Sequence, residues 1–174
     1  PDFDGSTGQL TDEQIAAMKT ATCGKVGILT GVPGGGKSYC IATALKQMPI
    51  SRVMACAPTG KAAVVLSDYF SGHGVPLKAR TIHGTLGPTR NGHDGDGWGF
   101  NHNARNPLPC DLLILDEVFD SSLDNNGTDY VMTLLNTIGD DSNVFVISHK
   151  GDQLFDKFRS VIKFEKKQNY SVMV

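Results

Sequence analysis

Val26 to Ser38 reads VGILTGVPGGGKS, and the change of character inside that stretch decides how the chain folds. Val26 to Thr30 is short and apolar, as a buried strand is. Gly31 to Ser38 then brings in Gly34, Gly35 and Gly36 in a row, which lets the backbone turn tightly with successive N–H groups on one side. Beyond it, Ile41, Ala44, Leu45 and Met48 recur at helical spacing until Pro49 ends the run. The unit is strand, glycine loop, helix, and its loop and helix N-terminus together suit an anion.

Working outward, Arg52 to Ala57 repeats the logic as a second strand, with APTG as a turn and Lys61 to Phe70 as a helix that ends near Gly72. From Gly84 to Pro109 the periodicity is lost and Gly, Asn, His and Asp accumulate, which predicts a long surface loop. Asp111 to Asp116, DLLILD, is nearly all apolar, as in a strand buried on both faces of a parallel sheet. Thr128 to Ile138 carries Val131, Leu134, Leu135 and Ile138 at helical spacing before Gly139. Asn143 to Ser148 predicts another buried strand, Leu154, Phe155 and Phe158 a last helix, and Val161 to Phe164 with Tyr170 to Val174 a terminal hairpin. At the other end, residues 1–10 read as a flexible lead-in, and Thr11 opens a helix to about Thr20. Residues 11–174 are expected to make one domain.

Composition narrows the class. With 174 residues and 40% hydrophobic content the chain can bury one sizeable core. A net charge of -2 and a pI near 6.2 carry no global basic signal, so nucleic-acid contact would need a local patch. Cys23, Cys40, Cys56 and Cys110 form no C-x-x-C pair, which fits reduced thiols and not a disulfide framework or zinc site. No apolar run reaches the roughly 18 to 20 residues of a membrane span, and no signal-peptide pattern opens the sequence. A soluble cytoplasmic protein without a membrane partner is expected.

The segment GVPGGGKS satisfies G-x-x-x-x-G-K-[ST] between a strand and a helix, the context in which that pattern binds nucleotide phosphates. Gly31, Val32, Pro33, Gly34, Gly35, Gly36, Lys37 and Ser38, with Tyr39 next to them, are the candidate ATP-binding residues. Lys37 is placed to reach the β- and γ-phosphates and the Ser38 hydroxyl to ligate Mg²⁺. DLLILDE delivers two acids to a strand end, Asp116 for the metal and Glu117 to orient and deprotonate the attacking water. ATP and Mg²⁺ are thus the expected ligand and metal.

With those residues in view, Gln14 to about Glu117 resembles the first motor domain of a RecD-like superfamily 1 DNA helicase. TDEQ resembles that family's adenine-reading segment, APTGKAA a segment that touches single-stranded DNA, and TIH a second DNA-facing motif. The resemblance implies a RecA-like P-loop α/β three-layer sandwich with a mainly parallel sheet. It also implies DNA contacts at Pro58, Thr59, Gly60, Lys61, Thr81 and His83. After Glu117 the sequence departs from that family, offering GDQLFDKF where GD-x-x-QLPP belongs. Instead LDEVFDSSLDNNG and VISHKGDQLFDKF resemble the ABC-type ATPase lobe of SMC-like recombination nucleases of the SbcC kind. That likeness implies dimer signalling at Asp124 and a γ-phosphate-sensing His149. The two resemblances meet at the acidic strand they share, so residues 11–117 and 118–174 read as a chimaera, natural or engineered, joined there.

Several residues have two readings from sequence. Gln14 either reads adenine or completes a capping box with Thr11. Thr59 meets DNA or caps the following helix, and His83 meets DNA or packs locally. Trp98 and Phe100 stack on a base or anchor the loop, while His93, Asp94, Asp96 and His102 suit a solvated loop better than a metal site. Functionally, three readings stand: a DNA-linked ATPase module that does not unwind unaided, lacking a second motor domain with its arginine finger; the ATPase lobe of a recombination nuclease that self-associates with ATP; and a nucleotide-binding scaffold without turnover.

Overall fold

A computed structural model of the chain describes residues 12, 15, 16, 18, 26–31, 34, 36–47, 52–89, 99–103, 105–119, 135, 143–148, 160–167 and 170–173. In chain order its elements are β1 (Val26–Gly31), α1 (Lys37–Gln47), β2 (Val53–Ala57), α2 (Gly60–Gly72), β3 (Ala79–Thr81) and α3 (Ile82–Leu86). They continue with β4 (Pro88–Thr89), β5 (Gly99–Phe100), β6 (Leu112–Asp116), β7 (Asn143–Ser148), β8 (Ser160–Lys167) and β9 (Tyr170–Met173). Residues 12, 15, 16, 18 and 135 are also helical.

A seven-stranded sheet has the order β3-β2-β6-β7-β1-β8-β9. All its neighbours are parallel except β8 and β9, which pair antiparallel. β7 inserts between β6 and β1, so Asp116 lies opposite Ile147 and Ser148 opposite Thr30. The C-terminal ends of β6, β7 and β1 therefore stand side by side, where parallel α/β sheets present their crevice.

The pleat sorts the core into two layers. Leu112, Ile114, Phe145 and Ile147 face one side, with Cys40, Ile41 and Ala44 of α1, Leu66 and Phe70 of α2, and the helical residues Ile15 and Met18. Leu113, Leu115, Val144 and Val146 face the other, with Cys56, Val118, Phe119 and the helical Leu135, and Ile82 of α3 packs against them. Both faces of the sheet are covered, which explains why β6 has no polar alternation. Leu112 to Leu115 are all at most 6% exposed, each worth about 1.5–3 kcal/mol relative to an exposed position.

The described strands and helices agree with the periodicity except at β3 and from Gly84 to Pro109; the lead-in 1–10, the expected helix at Thr128 to Ile138 apart from Leu135, and the last helix at Leu154, Phe155 and Phe158 lie outside the described residues. The stretch from Gly84 to Pro109 is not all loop. α3 runs into it, and β4 and β5 pair antiparallel with Pro88 opposite Phe100. Gly87 ends α3 at φ 68°, and its carbonyl accepts from the Asn101 N–H at 2.8 Å. Two-residue strands are too short to leave a period, and their pairing depends on that distant contact. β3 escaped the pattern for the same reason. Among the described residues no helix is long and apolar enough to cross a membrane.

Candidate nucleotide-binding site and its surroundings

β1 ends at Gly31, and the chain turns through Gly34 at φ 73° and Gly36 at φ 82°. Those are left-handed values that cost an L side chain roughly 1–2 kcal/mol, which accounts for glycine at both. A Cβ on Gly34 would meet nothing within 4 Å, so the backbone conformation and not crowding demands glycine there. The space beside Gly34 is open. The Gly36 carbonyl accepts from the Cys40 N–H at 2.9 Å, which starts α1 directly behind the turn.

A cleft of about 360 Å³ opens over this loop, lined by Gly34, Gly36, Lys37, Ser38, Asp116, Glu117 and Ile147 together with Val65, Leu66 and Tyr69 of α2. Lys37 is only 5% exposed yet lines the cleft. A buried ammonium is costly unless anionic groups compensate it. Ser38 and Asp116 are half-buried on the same lining. A hydroxyl and a carboxylate are hard oxygen donors, the set that Mg²⁺ takes when substrate phosphates supply the rest; the residues present fit that ion.

Glu117 is exposed at the mouth and adopts φ 54°, the positive φ found outside glycine among the described residues. Its N–H donates to the Ile147 carbonyl at 2.9 Å, carrying the β6–β7 pairing one step past Asp116. Val118 and Phe119 follow at 5% and 2% exposure. The turn is thus fixed on both sides, by a backbone bond before it and buried side chains after it. Strain of this kind costs of order 1–3 kcal/mol and persists only where the surroundings over-determine it.

The expected DNA-facing segments adjoin each other. Ala57 at the end of β2 pairs with Thr81 at the end of β3, so Pro58 to Lys61 and Thr81 to His83 share one edge of the sheet. Both threonines are caps: Thr59 Oγ1 accepts from the Ala62 N–H at 3.2 Å, and Thr81 Oγ1 from the Gly84 N–H at 3.0 Å. Thr59, Gly60, Lys61 and His83 are exposed, and so are Lys78, Arg80 and Arg105. The His83 ring meets Phe100 edge-on at 5.3 Å, so His83 does pack locally, and Phe100 anchors β5 to α3. Cys56 Sγ donates to Thr85 Oγ1 at 3.2 Å, fastening α3 to β2.

Burial pushes the Cys40 thiol up to about 12 and raises those of Cys56 and Cys110, so all three are neutral thiols near pH 7. At the opposite end of the sheet, Arg52 pairs with Asp111 and holds its carboxyl below the usual range. Among the described residues no three His, Cys, Asp or Glu side chains cluster as a metal site.

The structure therefore brings Gly34, Gly36, Lys37, Ser38, Asp116 and Glu117 together. Gln14, Val32, Pro33, Gly35, Asp124 and His149 lie outside the described residues, as do Thr11, Trp98, His93, Asp94 and Asp96. Tyr39 is described and half-buried, on α1 next to Ser38, and is not on the cleft lining. Sequence reading missed Val65, Leu66, Tyr69 and Ile147. Val65 and Tyr69 stand four apart on one helix face, the trace they left in the sequence.

Residues 14–159 match the family model described as AAA domain. The chain belongs to the AAA domain family. The matched range spans the acidic strand at Asp116 and includes residues on both sides of it. This AAA domain is 32% identical over 137 residues to the RecBCD enzyme subunit RecD of Mycolicibacterium smegmatis, covering 67% of this chain and 24% of that protein. It is 36% identical over 112 residues to the ATP-dependent RecD2 DNA helicase of Deinococcus radiodurans, covering 63% of this chain and 14% of that protein. The chain thus spans a quarter or less of these relatives.

Among solved structures, the AAA domain resembles a Pif1 helicase studied for DNA unwinding at forked double-stranded DNA, with a TM-score of 0.56 at 18% identity over 90% of this chain and 44% of that one. Bacteroides Pif1 bound to single-stranded DNA gives a TM-score of 0.54 at 18% identity, over 90% and 42%. The fold is that of a P-loop NTPase; in sequence the chain is similar to RecD helicases, and its likeness to Pif1 is one of fold.

Proposed function

We propose that this AAA domain binds ATP with Mg²⁺ in the cleft at the ends of β6 and β7 and hydrolyses it as the first motor domain of a DNA-linked ATPase. One observation carries the reading: Gly34 and Gly36, both left-handed, line the same cleft as Lys37, Ser38, Asp116 and Glu117. The backbone N–H groups of the turn and the start of α1 cradle the phosphates. Lys37, already held at the base of the cleft, sets its charge against the β- and γ-phosphates. Ser38 and Asp116 hold the Mg²⁺, which when bound offsets phosphate charge. Glu117 accepts a proton from the attacking water as that water's oxygen bonds to the γ-phosphorus and the bond to the β-phosphate oxygen breaks. Tyr39, Gln14 and residues 31–36 complete the nucleotide contacts in this reading.

The edge formed by half-buried Pro58 and Thr81 and exposed Thr59, Gly60, Lys61 and His83 is the single-stranded DNA contact. Because both threonine hydroxyls already accept from backbone N–H groups, their contribution is to hold the segments and Lys61 brings the charge. Steady-state ATP hydrolysis with and without oligo-dT, with Lys37→Ala as the blank, tests the whole reading. Turnover raised by DNA supports it; turnover indifferent to DNA removes the DNA half.

A second reading keeps the tail motifs SLD and ISH as those of an SMC-like ATPase lobe, with Asp124 signalling across an ATP-dependent dimer and His149 sensing the γ-phosphate. The motif sequence around Asp124 and His149 favours it. Size-exclusion chromatography with a non-hydrolysable ATP analogue separates the two readings, since only this one requires a dimer.

A further inference from the structure

α2 touches both proposed sites with one rigid element. Its N-terminal turn carries Gly60 and Lys61 beside the Thr59 cap, all exposed on the DNA-facing edge. Further along the same helix, Val65, Leu66 and Tyr69 line the cleft that contains Gly34, Gly36, Lys37 and Ser38.

The far end of α2 is tied to the phosphate-loop helix by aromatic contacts. The Tyr69 ring stacks on His73 at 4.3 Å and 24°, and His73 meets Tyr39 edge-on at 5.6 Å and 73°. Tyr39 is the residue after Ser38 on α1. His73 is itself held to the last turn of α2. Its Nδ1 lies 2.8 Å from the Tyr69 carbonyl, and its backbone N–H donates to the carbonyls of Tyr69 and Phe70 at 3.2 and 3.1 Å. Tyr39, Tyr69 and His73 are all only partly buried, whereas Phe70 between them in sequence is 0% exposed and belongs to the core. Tyr39 and Tyr69 pack against the edge of that core, and His73 bridges their rings outside it. What the stack joins is the residue beside the proposed Mg²⁺ ligand to a helix whose other end meets DNA.

We propose that α2 couples the DNA edge to the nucleotide cleft, and that His73 is the positioning residue that joins it to Tyr39 and Ser38. This rests on the DNA-linked reading above. Coupling between two binding sites is reciprocal, and typical values change an affinity by about 5- to 150-fold.

The test is the affinity of the chain for a fluorescent non-hydrolysable ATP analogue with and without saturating oligo-dT, in wild type, His73→Ala and His73→Phe. Wild type is expected to show a ratio of about fivefold or more between the two conditions, and His73→Ala a ratio near unity with each ligand alone bound within about twofold of wild type. His73→Phe keeps an aromatic ring between Tyr69 and Tyr39 and restores the ratio. If far-UV circular dichroism shows that His73→Ala does not fold, His73→Leu keeps side-chain bulk without the ring and takes its place. A wild-type ratio that persists in the ring-less variant overturns the joint and leaves the DNA-linked reading standing. Wild-type affinity untouched by oligo-dT overturns both.

Discussion

The N–H of Glu117 donates to the carbonyl of Ile147 at 2.9 Å while Glu117 itself sits at φ 54°. The bond extends the ladder between the two strands whose ends frame the cleft, and the left-handed turn swings the carboxylate's residue out of the strand path. Asp116 stays at the last paired position and Glu117 leaves it. Two adjacent acids thereby take different places around one cleft, as a metal ligand and a water-positioning base require.

Glu117→Gly relieves the left-handed strain while removing the carboxylate. Thermal unfolding should show the variant at least as stable as the parent, gaining up to about 1 kcal/mol, and ATP turnover should vanish. A clear fall in Tm would mean that the side chain, and not the backbone, holds this turn.

The two capping threonines separate structure from recognition. Thr59→Ala is expected to lose about 1 kcal/mol of stability and Thr59→Ser almost none, read as denaturant midpoints. Thr59→Asp keeps a cap acceptor but sets a negative charge on the DNA-facing edge. Its stability should match the parent while oligo-dT affinity falls; unchanged affinity would take this edge out of the DNA site.

The thiols give a pH-dependent prediction. Cys40 titrates at about 12 when folded against an ordinary 9.0, so the folded state holds its proton more firmly than the unfolded chain. Its contribution is fully present below pH 9 and is lost as pH rises through about 12. Native alkylation at pH 8 with peptide mapping should leave Cys40, Cys56 and Cys110 unmodified and label all three after denaturation. Fast native labelling of Cys40 would show that the face of α1 it occupies opens readily.

Much of the sheet was legible because its strands obey strong local rules. DLLILD and NVFVIS are apolar throughout since both faces are covered, and GVPGGGKS announces its own turn. The insertion of β7 between β6 and β1 was not legible in the residues, because strand order depends on long-range pairing that no local period records. The short β3, β4 and β5 escaped notice for want of length. At the site, the identities of Lys37, Ser38, Asp116 and Glu117 were readable, but the left-handed φ of Glu117 was not, since glutamate has no preference for it. Spacing offered the cap reading of Thr59 but could not decide it, and it gave no sign that His73 meets Tyr39 of α1 or that Thr81 caps α3.

The central claim is that this cleft hydrolyses ATP with Glu117 as the base. The most direct measurement is phosphate release from ATP and Mg²⁺ by the wild-type chain and by Glu117→Gln, at nucleotide concentrations that saturate both. The account predicts equal nucleotide binding and a fall in turnover of about 10²- to 10⁴-fold, the usual contribution of a general base. Turnover in Glu117→Gln equal to that of the wild type would contradict it.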